Sequence, residues 1–327
     1  MVLCARLKKA LYGCIKSALL WYELFAGTLQ KMGFKINRVD NCVASRKYHG
    51  KQCDIGWYVD DNFISCVNDR VVSTVIDKIE ERFGKMAVTR GSKHVFLGMN
   101  IEFKPNGTVD IDTIDYIKEA IDEFGDKCLP RPPTPAGPNI LSVDPSSPRL
   151  DARRADIFHS IVAKMLWVRP RSRLDIAFTI SFMCTRVGCS TEEDWMKLRR
   201  LMGYLNNTIH EKRTLGADSI IDLSTWIDSS YAIHADMKGH TGGGMSFGIG
   251  VFGEKSNKQR INSMSSTESE FVTASEYLPN NIWMENFLRE LGYKLRSNKL
   301  YQDNQSTIKM LKNGRRSCSS RSKHIDV

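Results

Sequence analysis

The feature that most restricts the fold of this chain is a proline-rich segment near its middle. Residues 129–135 read LPRPPTP, and the segment stays rich in Pro, Ser and Asp to residue 150. Proline has no backbone N–H and a fixed φ, so such a run can neither continue a helix nor lie in a central strand. The sequence therefore predicts three parts: residues 1–128, a linker with a connection at 129–217, and a last domain at 218–327.

The first part is predicted to alternate helices with short strands. Apolar residues recur at helical spacing between 7 and 33, where Gly33 ends the run. Two apolar runs, 55–59 and 63–67, flank an acidic turn and predict a hairpin. After it, the pattern predicts a helix from Val71 to Phe83, strands at 95–103 and 109–111 around the turn at 105–107, and a helix at 116–124.

The second and third parts differ in their pattern. Residues 157–205 are largely helical by periodicity. From about residue 218 strands and helices alternate, which is typical of a mixed sheet with helices on both faces. The expected elements are strands at 224–228, 242–252 and 260–264 with 253–257 as a turn, a helix at 267–291, a parallel strand at 299–302 and a helix from 306 to 311.

Two aspartates, Asp60 and Asp61, occupy the tip of the predicted hairpin. They have an ordinary interpretation, because Asp and Asn tolerate the positive φ of tight turns. Against it, adjacent carboxylates repel each other, and a divalent cation would neutralise both. The window alone leaves both interpretations open.

A second acidic set lies in the last third of the chain, at Asp228, Glu270, Asp303 and Asp326. Asp228 and Asp303 each end a predicted strand, and Glu270 lies one turn into a predicted helix. The carboxyl ends of adjacent strands are where open α/β sheets gather ligands. Four acidic groups there can bind two Mg²⁺ ions about 3.5–4 Å apart.

Helix capping competes with metal binding at two of these positions. Glu270 follows Thr267 by three residues and Glu268 follows Ser265 by three, so either glutamate could serve in a capping box. Asp303 could likewise be the N-cap of the helix that follows it. We favour Glu270 and Asp303 as ligands.

Composition points to an anionic partner. The chain has 47 Lys and Arg against 37 Asp and Glu, a net charge of +10, which favours nucleic acid over an acidic small molecule. No apolar run reaches 18 residues, so no membrane span is expected, and the start lacks the apolar stretch of a signal peptide. The nine cysteines show no C-x-x-C spacing and are interpreted as reduced thiols.

A series of short motifs runs through the chain in a fixed order. They are LKKALYG at 7–13, YVDD at 58–61, FLGM at 96–99, TP at 134–135, RLDI at 173–176, SSTESE at 265–270, DNQS at 303–306 and KHID at 323–326. In this order and spacing the chain resembles the reverse transcriptase–ribonuclease H part of a copia-type retrotransposon polyprotein. The resemblance covers essentially the whole chain.

The resemblance implies an α+β chain: a partial polymerase palm and thumb, a helical connection and an α/β ribonuclease H-like domain. It implies RNA-directed DNA synthesis and hydrolysis of RNA in RNA–DNA hybrids, with Mg²⁺ as cofactor and Mn²⁺ as the alternative ion. The implied partners are an RNA–DNA hybrid, a template–primer duplex and other parts of the polyprotein. The implied setting is intracellular, in a cytoplasmic virus-like particle if the element is expressed.

The resemblance also assigns residues. The metal ligands and catalytic groups would be Asp60, Asp61, Asp228, Glu270, Asp303 and Asp326. Nucleic-acid contacts are expected at Lys8, Lys9, Lys16, Arg169, Arg171, Arg173, Arg199 and Arg200. The arginines could bind phosphate oxygens bidentately or form the solvated face of a helical connection, and the sequence leaves both open.

The chain departs from the family at its start. Residues 1–22 contain no Asp or Glu, so the third carboxylate that a polymerase palm needs is not found before the LKKALYG motif. We expect a fragment in which polymerase activity is lost. Lys16 stands where relatives carry a glutamine, and a longer cation there alters how a nucleotide is positioned. The alternative is a catalytically inert, nucleic-acid-binding remnant of a transposable element.

Overall fold

The computed structural model describes Leu11 and residues 13–314. The chain forms two compact units. One contains the residues up to Gly91 together with Asn286–Lys294, and the other contains Ser92–Glu285 and the residues from Leu295 onward. Helices and strands are mixed in both, which confirms the α+β class. The three-part division predicted from sequence remains a prediction, since the compact units divide the chain at other positions.

The first unit is built around one antiparallel sheet and two helices. Helix α1 spans Ile15–Lys31 and helix α2 spans Asp69–Phe83; the sheet order is β1 (Lys35–Ile36), β2 (Val43–Tyr48), β3 (Lys51–Tyr58) and β4 (Asp61–Cys66). Burial alternates along β3, so that Cys53, Ile55 and Trp57 face a core with Phe25 and Leu29 of α1. The predicted hairpin and second helix are thereby confirmed. The first predicted helix, at 7–33, is confirmed over Ile15–Lys31, and residues 7–10 and 12 lie outside the described residues.

The second unit begins with a small antiparallel sheet. Its strands are β5 (Lys93–Phe96), β6 (Met99–Phe103), β7 (Val109–Asp112), β8 (Arg213–Ala217) and β11 (Gly248–Ile249), in the order β11-β8-β7-β6-β5. The prediction of one strand over 95–103 is wrong. Leu97 and Gly98 both have positive φ, 50° and 72°, and reverse the chain between β5 and β6.

A helical core follows in the same unit. It consists of α3 (Ile114–Phe124), α4 (Ala152–Val168), α5 (Ala177–Cys184) and α6 (Glu192–Asn207). Phe158, Ile161, Met165 and Leu198 are almost fully buried there. Helix α6 starts in a capping box, in which Thr191 and Asp194 satisfy each other's backbone N–H groups. This confirms the predicted helical character of 157–205.

The proline-rich segment has no helix or strand, as predicted, but it is packed against the helices. Ile140 and Leu150 are buried in the helical core. The Leu129 N–H donates to the Arg199 carbonyl oxygen at 3.1 Å, and the Leu150 N–H to that of Ser190 at 3.1 Å. The segment is therefore part of the compact unit and not a free tether.

The third sheet and the helices that flank it contain or adjoin Asp228, Glu270 and Asp303. Its order is β12 (Phe252–Lys258), β10 (His240–Ser246), β9 (Asp222–Ser230) and β13 (Ser297–Tyr301), and it is flanked by α7 (Ser266–Leu291) and α8 (Gln305–Asn313). Strand β13 pairs with β9 in parallel, as predicted, and the other pairs are antiparallel. Tyr277 and Ala274 of α7 pack on Leu223 and Ile227 of β9.

Two strand predictions for this sheet are wrong. Residues 242–252 were expected to form one strand, but β10 ends at Ser246 and β11 belongs to the sheet of β5–β8. Residues 253–257 were expected to be a turn and 260–264 a strand, but β12 occupies Phe252–Lys258 and residues 260–264 lie in no strand. Gly248 and Gly250 have φ of 132° and 72° and reverse the chain before β12. Among the described residues, no helix combines the length and the apolar character needed to cross a membrane.

The proline-rich segment approaches α6 so closely that we expect position 203 to require glycine. A Cβ at Gly203 would lie 2.0 Å from the Leu129 carbonyl oxygen, whereas a Cβ at Gly188 would meet nothing within 4 Å. Gly203→Ala should lower the free energy of unfolding by about 1–3 kcal/mol, as overpacking does. Gly188→Ala should change it by less than about 0.5 kcal/mol. Urea unfolding measures both, and equal effects would contradict the packing described.

Candidate functional site

The Asp60–Asp61 pair lies at the exposed tip of the β3–β4 hairpin. Tyr58 pairs with Asp61, which leaves Val59 and Asp60 as a two-residue turn. The Trp21 indole N–H of α1 donates to the Val59 carbonyl oxygen, and the Asn62 side-chain amide donates to the Asp60 carbonyl oxygen at 3.1 Å. Both carboxylates are exposed, so the turn presents them to solvent.

The backbone of this turn is strained. Val59 has a φ of 56°, a conformation that β-branched residues rarely adopt. Such outliers persist only where the surroundings hold them, and they cluster at functional sites. Here the hydrogen bond from Trp21 holds the Val59 carbonyl group in place.

The hairpin pair does not form a complete metal site by itself. Within residues 11 and 13–314, one group of at least three candidate ligands is found, and it excludes Asp60 and Asp61. Within the described residues, the acidic site at the hairpin tip therefore consists of Asp60 and Asp61 alone.

That one group consists of Asp228, Glu270 and Asp303. Each offers a carboxylate oxygen, and these oxygens lie within 4.8 Å of one another. The parallel pairing of β13 with β9 places Tyr301 beside Trp226. Asp303 and Asp228 each lie two residues farther along, so the same register brings them to one edge of the sheet. Glu270 reaches that edge from the first turns of α7.

Glu270 is the buried member of this cluster. One of its oxygens accepts from the Ser229 backbone N–H at 3.2 Å, and the other accepts from the Gln302 side-chain amide at 2.9 Å. Burial raises the pKa of Glu270, and the charge of Asp228 raises it further. Asp228 and Asp303 are exposed. Hydrogen bonds thus fix the position of Glu270, and the negative charge of the cluster favours binding of a cation.

The competing capping roles fall to neighbouring residues. The Glu268 N–H donates to the Ser265 hydroxyl at 3.2 Å, and a Glu268 carboxylate oxygen accepts from the Met264 N–H at 2.7 Å. Asn304, not Asp303, caps α8 by accepting from the Thr307 N–H at 3.0 Å. Glu270 and Asp303 are consequently left free of capping duties.

Three of the predicted site residues, Asp326, Lys8 and Lys9, lie outside the described residues. Lys16 is exposed near the start of α1. Of the second acidic set, the structure places Asp228, Glu270 and Asp303 together.

Two of the five arginines have a structural role that differs from the predicted phosphate contact. Arg173 is 2% exposed; its guanidinium binds the Asp175 carboxylate at 2.8 Å and the Thr208 hydroxyl at 2.7 Å. Arg169 is also buried, with its Nε 3.3 Å from a Glu254 oxygen. A phosphate could reach these groups only if these contacts broke. Neither residue belongs to a solvated face.

The other three arginines are half-buried and also hold local structure. The Arg171 guanidinium lies 4.3 Å from the Trp167 ring centre and donates to the Trp167 carbonyl oxygen. Arg199 donates to the Lys127 carbonyl oxygen, and Arg200 to that of Thr134. Arg200 thus fastens the proline-rich segment to α6, and Arg199 fastens Lys127, which lies just before that segment.

The sequence analysis missed an aromatic pair beside the carboxylates. Trp226 and Tyr301 stack with ring centres 5.3 Å apart and planes 10° apart, and they are 45% and 44% exposed. With Gly242 and Gly244 they line an open depression of about 790 Å³ that extends to Asp228 and Asp303. The repeated pattern aromatic-x-Asp, in 226–228 and 301–303, could have identified the pair, because alternate strand residues share a face.

Comparisons with known proteins agree on one group of relatives. The family model described as reverse transcriptase (RNA-dependent DNA polymerase) matches residues 2–129. A retrovirus-related Pol polyprotein from transposon TNT 1-94 of Nicotiana tabacum is 24% identical over 98% of this chain and 24% of its own length. The corresponding polyprotein from transposon RE1 of Arabidopsis thaliana is 25% identical over 98% of this chain and 22% of its own.

A shorter relative is a putative transposon Ty5-1 protein of Saccharomyces cerevisiae. It is 25% identical over 81% of this chain and 86% of its own length. The chain therefore spans about a quarter of the length of the two plant polyproteins and most of the yeast protein. No solved structure matches the chain.

The strain at Val59 predicts that glycine stabilises the hairpin. Glycine adopts positive φ without steric cost, so Val59→Gly should raise the free energy of unfolding by about 1 kcal/mol after the added chain entropy is counted. Val67, 76% exposed and without positive φ, is the matched control. Val67→Gly should lower stability by up to about 1 kcal/mol. Urea midpoints compare them, and destabilisation by Val59→Gly would show that the turn is unstrained.

Proposed function

We propose, from the similarity of this chain to the reverse transcriptase region of copia-type retrotransposon polyproteins, that its C-terminal part hydrolyses the RNA strand of RNA–DNA hybrids. The observation that carries the proposal is the cluster of Asp228, Glu270 and Asp303 at one edge of the third sheet. Asp326 is proposed as a fourth ligand on the family resemblance alone.

The donor set fits a hard divalent cation. All three groups are carboxylates, and oxygen ligands suit Mg²⁺ and Mn²⁺ better than softer metals. Burial and the nearby charge of Asp228 raise the pKa of Glu270, and a bound cation would favour its ionised form. When bound, a pair of such ions would activate a water molecule and stabilise the leaving oxygen.

The chain's own residues set the geometry. The Ser229 N–H and the Gln302 amide fix the two oxygens of Glu270, so its carboxylate is oriented before any ligand arrives. Asp228 and Asp303 are exposed and face the open depression, where a sugar–phosphate backbone can approach. Glycines 242 and 244 carry no side chain that would block that approach.

The aromatic pair supports a polynucleotide substrate. Residues i and i+2 of a strand are about 6.6 Å apart along the strand axis, so Trp226 and Tyr301 lie close to one nucleotide step from the carboxylates. Aromatic side chains stack on bases without sequence preference. Lys299 is exposed two residues before Tyr301 on the same strand, where a cation can bind the next phosphate.

For the first unit we propose that Asp60 and Asp61 are ligands of a polymerase metal site, as the family resemblance implies. Their exposure at a fixed turn supports this role, and Lys16 is proposed to contact the nucleic acid. The two aspartates need a further carboxylate to hold two ions in line. The inert-remnant alternative is favoured by one observation, that this pair forms no three-ligand group within the described residues.

Hybrid cleavage tests the proposed hydrolysis. The chain should cut the RNA of a hybrid in Mg²⁺, and Asp228→Asn or Glu270→Gln should lower the rate by more than about 100-fold. Loss of an outer partner alone typically costs 10–100-fold, which is the effect expected for Gln302→Ala. Asp115→Asn, an exposed carboxylate on α3, is the control and should retain full activity. A hybrid that is bound but not cut by the unaltered chain would favour the inert remnant.

Hybrid affinity tests the proposed substrate surface. Trp226→Ala and Tyr301→Ala should each weaken hybrid binding by roughly 5-fold to 150-fold, the equivalent of 1–3 kcal/mol of stacking. Lys299→Ala should reduce the slope of log affinity against log salt by about one. Lys118→Ala, on α3 outside this sheet, should leave both unchanged. Fluorescence anisotropy at several salt concentrations measures these quantities, and unaltered binding by the aromatic variants would exclude this surface.

A further inference from the structure

Two cysteines face each other across the hairpin that carries Asp60 and Asp61. Cys53 of β3 pairs with Cys66 of β4 in the strand register. The two-residue turn makes Tyr58 and Asp61 a pair that exchanges both backbone hydrogen bonds. Hydrogen-bonded and non-hydrogen-bonded pairs alternate from there, so the Cys53–Cys66 pair is of the non-hydrogen-bonded kind.

This kind of pair brings two side chains closest. Its Cα atoms lie about 4.5 Å apart, inside the range of about 4.4–6.8 Å that disulfides span. Both thiols point to the same face, where they pack with Ile55, Trp57 and Ile64 in the core of the first unit. No backbone rearrangement is therefore needed to join the sulfur atoms.

The two thiols differ in access. Cys53 is fully buried, and burial, with a smaller contribution from the neighbouring Cys66, raises its pKa to about 12. Cys66 is partly exposed at the end of β4. An external oxidant therefore meets Cys66 first, while Cys53 is held as a protonated thiol beside it.

We propose that Cys53 and Cys66 are an oxidisable dithiol that forms a reversible disulfide across the base of the Asp60–Asp61 hairpin. The Cys66 thiolate attacks a sulfur of a disulfide oxidant such as glutathione disulfide and releases one glutathione thiolate. Cys53 then loses its proton, attacks the Cys66 sulfur and releases the second. Two protein thiols are oxidised to one disulfide, and the two protons are taken up by the two released glutathione thiolates.

The crosslink closes the loop that contains both aspartates. Separation of β3 from β4 would then require reduction, so the oxidised hairpin should stay paired under conditions that open the reduced one. This inference does not depend on the function proposed for either carboxylate set.

The sequence offers a direct readout. Lys51 and Arg70 flank a tryptic peptide, residues 52–70, that contains both cysteines and no other cleavage site. After treatment of the full chain with glutathione disulfide, unfolding, alkylation and digestion, this peptide should lack two hydrogens and carry no alkyl group. Dithiothreitol should restore the doubly alkylated form, and the oxidised chain should unfold at a higher temperature than the reduced one.

Three variants complete the test. Cys53→Ala should leave glutathione attached to Cys66, and Cys66→Ala should leave Cys53 reduced, so neither peptide loses two hydrogens. Cys42→Ala removes an exposed thiol on the same unit and should not alter formation of the Cys53–Cys66 disulfide. The proposal is overturned if the 52–70 peptide of the folded, unaltered chain stays doubly alkylated while Cys42 is oxidised, or if Cys66 pairs with another cysteine.

Discussion

The parallel pairing of β13 with β9 is the interaction on which the candidate metal site depends. If the two strands were antiparallel, their carboxyl ends would lie at opposite edges of the sheet. Because Tyr301 pairs with Trp226 in parallel, two aspartates far apart in sequence come to the same edge. Parallel neighbours require a crossover, and the crossover here includes α7, whose first turns supply Glu270.

In the resulting site, hydrogen bonds hold Glu270 in place, but the negative charges of the three carboxylates repel one another. Three carboxylates lie within a few ångströms of one another, and the most buried of them has a raised pKa because its charge is poorly solvated. The orientation of Glu270 is fixed by hydrogen bonds from the Ser229 N–H and the Gln302 amide, which do not neutralise its charge. A bound cation would offset the repulsion between these carboxylates and stabilise the folded site. Cation binding and the local stability of the fold are therefore coupled.

Sequence reasoning reached the elements whose signals are local. The hairpin and the helix that follows it are predicted by alternation, turn residues and helical periodicity within a few residues. It missed the reversal at Leu97, since positive φ at a leucine leaves no mark in the sequence. For Arg173 it left a phosphate contact and a solvated position open and did not predict burial, because Thr208, which binds its guanidinium together with Asp175, is 35 residues away. Partners that are distant in sequence determine whether a charged side chain can bind nucleic acid or instead stabilises the fold.

The docking of the proline-rich segment has a consequence for how this protein can be divided. Composition marks residues 129–150 as the natural place to cut the chain, yet Ile140 and Leu150 complete the apolar core around α4 and α6. The Arg200 guanidinium binds the Thr134 carbonyl group of this segment, and the Arg199 carbonyl oxygen accepts from the Leu129 N–H. A fragment that began after it would expose apolar helix surface to water, with aggregation as the usual outcome. Soluble pieces should instead keep the segment and its helices on one polypeptide.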